Sequence, residues 1–125
     1  MTIQNAPVQA VRKDFRLVGG SHPMHLPLAA HVWNVRPGTP LKPTPLGWDV
    51  ARDFSEARAI AVTQARGGAK VHARKSATFD VGRNQFLMGQ TLKIADVDDT
   101  GFVTFSASED GPFFAESASE VHMSV

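Results

Sequence analysis

The alternation of apolar and polar residues across residues 70–81 constrains the fold of this chain more than any other feature. Apolar side chains occupy the odd positions of this stretch, KVHARKSATFDV, except position 75: Val71, Ala73, Ala77, Phe79 and Val81. A strand with one face on a core produces this period of two, whereas a helix would spread the same residues around all its sides. Because Lys75 alone breaks the pattern, we expect it near a strand end or bulge, with its stem packed and its ammonium group in water.

Short apolar runs separated by turn signals predict further strands. We expect them at residues 28–35 (LAAHVWNV), 58–65 (RAIAVTQA), 91–97 (TLKIADV) and 101–108 (GFVTFSAS). Gly67-Gly68 predicts a tight turn and residues 98–101, DDTG, predict a hairpin turn. The segment 113–125 is compatible with a last strand or with a short helix. Short strands at this spacing predict a mostly β sandwich or barrel.

The size and composition of the chain fit one small folded domain. It has 125 residues, of which 42% are hydrophobic and 20% charged, and no cysteine. Disulfides and thiolate metal sites are therefore excluded. No stretch reaches the roughly 18 apolar residues that span a bilayer, and the start lacks the pattern of a signal peptide. We expect neither export nor a membrane partner.

Charge is distributed unevenly along the chain. Residues 1–93 carry all 13 Lys and Arg with five acids, whereas residues 94–125 carry seven acids and no Lys or Arg. The two parts could pair with each other or face different partners. Folding often mixes such charges into one surface, which is the simpler expectation.

Residues 1–20 are interpreted as a flexible N-terminal arm, and residues 21–125 as a single β-rich domain. The arm is polar and ends in Gly19-Gly20, a flexible stop. Its apolar residues Val8, Val11, Phe15 and Val18 are spaced as in a short amphipathic helix, but an extended arm fits equally well.

A proline-rich segment, RPGTPLKPTPLGWD at residues 36–49, contains four of the eight prolines. It could be a linker, a rigid part of the fold, or a ligand for a proline-binding partner through Pro37-x-x-Pro40-x-Lys42. A free linker would expose Leu41, Leu46 and Trp48. We therefore expect a rigid loop that buries these three residues in the core or in a subunit contact, together with Phe79 of the alternating strand.

Candidate catalytic and metal-binding residues are few. His22, His25 and His31 could bind zinc, but their spacing fits neither a strand nor a helix site. The chain has no G-x-S-x-G elbow, no cysteine nucleophile and no phosphate-binding loop of the Walker type. The sequence thus predicts no catalytic residue, no metal and no cofactor, and a protein that is not an enzyme.

A basic face along the alternating strand suggests a different function. Its members are Arg66, Lys70, His72, Arg74 and Lys75. These residues could contact phosphates, which makes a small basic β-barrel that binds nucleic acid the alternative interpretation. A solvated strand face that discourages edge aggregation explains the same residues with fewer assumptions, so nucleic acid is not the expected partner.

Several motifs, taken in order, resemble the head-decoration proteins of lambda-like bacteriophages. The matching stretches lie within residues 36–89: Gly38-Thr39-Pro40-Leu41, Trp48-Asp49, ARAIAV at 57–62, and Lys75-Ser76-Ala77-Thr78-Phe79. The chain departs from that family at Ala77, where the family often has Gly, in the acidic region 96–111, and in the arm, which has no residue match.

The resemblance implies a small β-tulip fold that forms a homotrimer. Such a trimer would bind the major capsid protein at three-fold and quasi-three-fold sites on the outer surface of an expanded capsid. It would be made in the host cytoplasm, become part of the virion and stabilise the shell against packaged DNA. The arm would add a strand to capsid protein, with Ile3, Val8, Val11 and Phe15 as its contact residues.

Overall fold

The computed structural model describes residues 14–82 and 87–125, which form eleven strands and one 3-10 helix. The 3-10 helix covers Phe54–Glu56. The strands, in chain order, are β1 Arg16–Gly20, β2 Met24–Pro27, β3 Pro40–Thr44, β4 Gly47–Val50, β5 Ala59–Ala61, β6 Lys70–Arg74, β7 Ser76–Asp80, β8 Thr91–Val97, β9 Val103–Ala107, β10 Phe113–Ala115 and β11 Glu120–Ser124. The predicted mostly β fold is confirmed.

The strands are divided between two antiparallel sheets. The large sheet has the order β1-β7-β11-β10-β8-β9, and the small sheet has the order β2-β6-β5-β3-β4. The two ends of the small sheet approach each other, because Leu28, directly after β2, forms a parallel bridge to Trp48 of β4. The backbone N–H of Ala29 donates to the Trp48 carbonyl at 2.9 Å. This bridge curls the small sheet towards a barrel.

The alternating stretch crosses from one sheet to the other at Lys75. β6 lies in the small sheet and β7 in the large one, and Lys75 between them is exposed and outside both strands. The predicted break at this residue is confirmed. The hydroxyl of Ser21 accepts hydrogen bonds from the backbone N–H of Lys75 at 3.2 Å and of Ser76 at 3.0 Å. The two amides at the bend are thereby paired, although Lys75 lies outside both strands.

Each sheet covers its own apolar core, and β5 lies between the two. Ile60 packs into the large-sheet core, while Ala59 and Ala61 pack into the small-sheet core. Both faces of β5 are therefore buried, which explains its continuous apolar run. The large-sheet core is rich in phenylalanine: Phe15, Phe79, Phe102, Phe105 and Phe113.

The predicted strand at residues 28–35 is wrong. Leu28, Ala29, Val32 and Val35 are buried, but they lie in a loop that curls around Gly67. A Cβ on Gly67 would lie within 2.8 Å of three carbonyl oxygens of this loop, so only glycine fits there. The apolar run is thus buried by wrapping a turn and not by alternation along a strand. The strand predicted at 58–65 is reduced to Ala59–Ala61.

The other predicted elements agree more closely with the structure. The strand at 91–97 is β8, and β9 lies within 101–108. Gly67-Gly68 and residues 98–101 form turns, and Gly101 has a φ of +83° in the second of them. The last segment forms two strands, β10 and β11, and no helix.

The boundary of the N-terminal arm differs from the prediction. Phe15 is only 6% exposed within the large-sheet core, and β1 pairs with β7. Residues 14–20 therefore belong to the folded domain and not to an arm. The remaining predicted arm contacts, Ile3, Val8 and Val11, lie outside the described residues. Within residues 14–82 and 87–125, no helix has the length and apolar character needed to cross a membrane.

Candidate functional site

The proline-rich segment folds as a β-hairpin, so the prediction of a rigid loop is wrong. β3 pairs with β4 along its length, with Pro43 opposite Trp48 and Thr44 opposite Gly47. β5 pairs only with Pro40 and Leu41 of β3. Pro43 therefore lies where β3 has a single neighbouring strand, a position that tolerates a missing N–H donor.

The four residues predicted for the core or a subunit contact have different environments. Leu41 is buried in the small-sheet core, and Trp48 is partly buried against the same cluster. Phe79 is buried in the large-sheet core. Leu46 lies at the hairpin turn and is 75% exposed, so its expected burial in the core is wrong. The hydrophobicity of Leu46 signalled burial, but its place at the tip of a two-stranded hairpin leaves nothing to cover it.

A groove of about 820 Å³ runs beside this hairpin. Its walls come from the hairpin, the 31–34 loop, the 3-10 helix and the 98–101 turn. The charged and polar residues that line it are His31, Asn34, Lys42, Asp49, Arg52, Asp53, Glu56, Asp98 and Asp99. Trp33 lies at its rim and is 64% exposed, with the guanidinium of Arg66 at 5.4 Å from its ring centroid.

One histidine–carboxylate hydrogen bond and two ion pairs engage three of the five carboxylates of the groove. Nε2 of His31 lies 3.0 Å from Oδ2 of Asp49, and Nζ of Lys42 lies 3.0 Å from Oε1 of Glu56. Nη2 of Arg52 lies 3.7 Å from Oδ1 of Asp99. The groove is therefore lined by side chains of both signs, and Lys42, Arg52 and His31 each contact a carboxylate.

Asp53 caps the 3-10 helix at the edge of the groove. Its Oδ1 accepts hydrogen bonds from the hydroxyl of Ser55 at 2.8 Å and from the backbone N–H of Ser55 at 3.0 Å. These two bonds, with a smaller contribution from the charge of Lys42, lower the pKa of Asp53 below 3.8. Asp53 is thus held ionised as a helix cap.

The three histidines considered for zinc are not brought together. His31 pairs with Asp49 in the groove, His22 lies in the loop before β2, and His25 lies on β2. In the described ranges, no group of three or more His, Asp or Glu is placed to hold a metal ion. His25 instead faces His72 of β6, a partner that sequence spacing could not reveal because it depends on the register of two distant strands.

Some side chains of the basic face contact other parts of the fold and are not available to a ligand. The guanidinium of Arg66 packs on Trp33, and Nη1 of Arg74 donates to the Ser21 carbonyl at 2.8 Å. Lys70, His72 and Lys75 are exposed. Two of the five predicted phosphate contacts therefore have roles within the fold.

A polar cluster on the outer face of the large sheet was not anticipated from the sequence. Oγ1 of Thr78 donates to Oε2 of Glu116 at 2.7 Å and lies 2.9 Å from Nδ1 of His122. Because the single hydroxyl proton goes to the carboxylate, Nδ1 of His122 is the donor in the second bond. The partly exposed ring of Phe114 lies beside it, with 5.2 Å between the ring centroids of Phe114 and His122.

The described part of the chain begins at Asp14, just before β1 at the edge of the large sheet. Among the described strands, β1 pairs on one side only, with β7. Just before it, Oδ1 of Asp14 accepts a hydrogen bond from Nη1 of Arg36 at 3.0 Å, and Nε of Arg36 donates to the Thr100 carbonyl at 3.2 Å. The point from which residues 1–13 depart is therefore fixed relative to the domain.

Comparison with known proteins identifies no relative: the chain matches no protein-family model, no curated protein and no solved structure.

Proposed function

We propose that this protein is a capsid-decoration protein, which binds as a trimer to the outer surface of an expanded phage head and stabilises it against internal DNA pressure. Three things support this: the ordered sequence motifs described above, the mostly β fold, and the edge position of β1, the strand that follows the N-terminal residues. The major capsid protein and further copies of this chain are the proposed partners.

The observation that carries the proposal is the position of β1. β1 is an edge strand among the described strands of the large sheet, and Phe15, directly before it, is buried in the core. An extended segment that leaves a sheet edge can add a strand to a partner protein through main-chain hydrogen bonds. Ile3, Val8 and Val11 would supply the side-chain contacts that set its register.

A trimer gives such short arms enough affinity. A segment that orders on binding loses conformational entropy, so each arm binds modestly. Three arms held by one body multiply the overall affinity through their effective concentration. Leu46 and Phe114 are exposed apolar side chains at the hairpin tip and on the large sheet, and either is available for contact between subunits or with the shell.

Cosedimentation with expanded heads of the phage that carries the gene tests the proposal. We expect saturable binding with copies in multiples of three, and a trimeric mass by light scattering in solution or on the heads. Failure to bind expanded heads at any protein concentration would refute it. A gene for a major capsid protein or a prohead protease next to this one is expected as well.

Nucleic-acid binding is the second candidate function. It is favoured by Lys70 and Lys75, which are exposed and have no acidic partner among the described residues. A phosphate-binding face would give DNA affinity that falls steeply with salt. Absence of DNA binding at low salt would remove this candidate without affecting the first.

A further inference from the structure

We propose that His25 and His72 form a binding site for a divalent first-row transition-metal ion on the outer face of the small sheet. The register of β2 and β6 puts the two residues directly opposite each other. Both are exposed, and their rings stack with 4.2 Å between centroids and 20° between planes. Two imidazoles are thus held side by side by the backbone of two paired strands.

The backbone geometry of His72 brings these side chains as close as a sheet allows. The carbonyl of His72 accepts from the backbone N–H of Val62 at 2.8 Å, and its N–H donates to Oγ1 of Thr63 at 3.2 Å. Both groups therefore point towards the β5 side, away from His25. His25 and His72 form a non-hydrogen-bonded antiparallel pair, in which Cα atoms approach to about 4.5 Å instead of about 5.5 Å.

The ring nitrogens of the pair are available to a ligand. In the part of the chain that the structure describes, neither imidazole has a hydrogen-bond or ion-pair partner, whereas His31 is bound to Asp49 and His122 to Thr78. A neutral imidazole keeps one nitrogen lone pair free for a metal. Two nitrogens on one tetrahedral ion lie about 3.3 Å apart with both lone pairs directed at it, so the nearly parallel rings must rotate about their side-chain torsions until one nitrogen of each points at the ion.

The chemistry of the pair selects the type of ion. Imidazole nitrogen suits Zn²⁺, Cu²⁺ and Ni²⁺, whereas Mg²⁺ and Ca²⁺ require oxygen ligands. Within the described residues no third His, Asp or Glu completes the site, so water or a group from another molecule fills the remaining positions. Lys70 and Arg74 flank His72 on the same face of β6 and repel a cation. The expected affinity is therefore far below that of a closed structural zinc site.

Metal binding would stabilise the β2 edge of the small sheet. Within residues 14–82 and 87–125, β2 has β6 as its one full strand partner, and Leu28 after it bridges to Trp48 of β4. An ion held by His25 and His72 would crosslink β2 to β6 and raise the thermal stability of the chain, because it binds the folded form more tightly than the unfolded chain.

Titration of the full chain with Zn²⁺ tests the site. Calorimetry at neutral pH is expected to show one ion bound per chain, and the imidazole NMR signals of His25 and His72 are expected to shift together. His25→Ala and His72→Ala should each weaken Zn²⁺ binding by at least about tenfold. Each variant leaves a single imidazole, so the ion loses the second ligand that the paired strand holds beside it at high effective concentration. His31→Ala is the matched control, an exposed histidine in the groove, and should leave binding unchanged.

Two outcomes would overturn the proposal. One is no saturable binding of Zn²⁺ by the unaltered chain at millimolar concentration, a result independent of how any variant folds. The other is binding that is unchanged in either His25→Ala or His72→Ala, with circular dichroism showing both variants folded. Neither outcome bears on capsid binding, which depends on other residues.

Discussion

The ring of Phe15 stacks on the ring of Phe105, with 5.9 Å between their centroids and 18° between their planes. Phe15 precedes β1, at one edge of the large sheet, and Phe105 lies on β9 at the other edge. The contact thus joins the two edges of the sheet through its core.

Replacing Phe15 with Ala is expected to cost about 3–5 kcal/mol of unfolding free energy, the usual range for a buried phenylalanine. Urea denaturation followed by circular dichroism measures it. Val18→Ala, at an exposed position of β1, is the matched control and should change stability by less than about 0.5 kcal/mol. Equal stability of Phe15→Ala and the unaltered chain would show that Phe15 is not part of the core.

Two leucines of the β3–β4 hairpin should respond to truncation in opposite ways. Leu41→Ala should cost about 2–5 kcal/mol because Leu41 is fully buried, whereas Leu46→Ala should stay within about 0.5 kcal/mol. Denaturation midpoints of the two variants make the comparison directly. A large loss for Leu46→Ala in the isolated monomer would contradict its exposed position at the turn.

The buried hydroxyl of Thr39 connects two loops. It donates to the Gly101 carbonyl at 2.6 Å and accepts from the backbone N–H of Arg36 at 3.0 Å. Thr39→Val keeps the shape but removes both bonds, which should cost about 1–3 kcal/mol. Thr104→Val, at a half-buried position of β9, serves as the control and should be nearly neutral. Similar stabilities of the two variants would mean that the Thr39 hydroxyl does not stabilise the fold.

The cap at Asp53 predicts a pH dependence of stability. The bonds from Ser55 lower the pKa of Asp53 in the folded chain below its value in the unfolded chain, which is near 3.8. At pH values above that unfolded-state pKa, the ionised carboxylate therefore stabilises the fold. That contribution is lost as the pH falls through the lowered pKa. Asp53→Ala should therefore be less stable than the unaltered chain at pH 7 and at pH 5, and the difference should shrink as the pH falls below about 3.8. A difference that is constant or grows under acid would contradict this assignment of the cap.

The local pattern of apolar and polar residues was sufficient to predict some strands correctly but not others. The alternation in residues 70–81 predicted a buried face and an exposed face, and the exception at Lys75 predicted an interruption of the strand. Both features depend only on residues that are close in sequence. The change of sheet at that break could not be predicted, because it depends on Ser21 pairing the amides of the bend. The strand at 28–35 was predicted wrongly because an apolar run does not distinguish a buried strand from a buried loop.

The candidate sites depend even more on contacts between residues that are far apart in the sequence. Leu46 was expected in the core or in a subunit contact because a free linker would expose it, yet hairpin geometry places it at an exposed tip. His25 and His72 meet only through the β2–β6 register, and Thr78, Glu116 and His122 only through the order of β7, β11 and β10. Residues 14–20 were predicted as part of the arm, but they belong to the domain because Gly19-Gly20 pair as the end of a strand.

The most direct test of capsid binding compares the full chain with a variant that lacks residues 1–13. This truncation retains Phe15 and β1, whereas removal of residues 1–18 would also delete part of the core. Both proteins should have the same denaturation midpoint and are mixed with the same expanded heads over a range of concentrations. We expect the full chain to cosediment to saturation and the truncated chain to bind at least about tenfold more weakly, because its three arms are gone. Equal binding of the two proteins would contradict the proposed role of the arm.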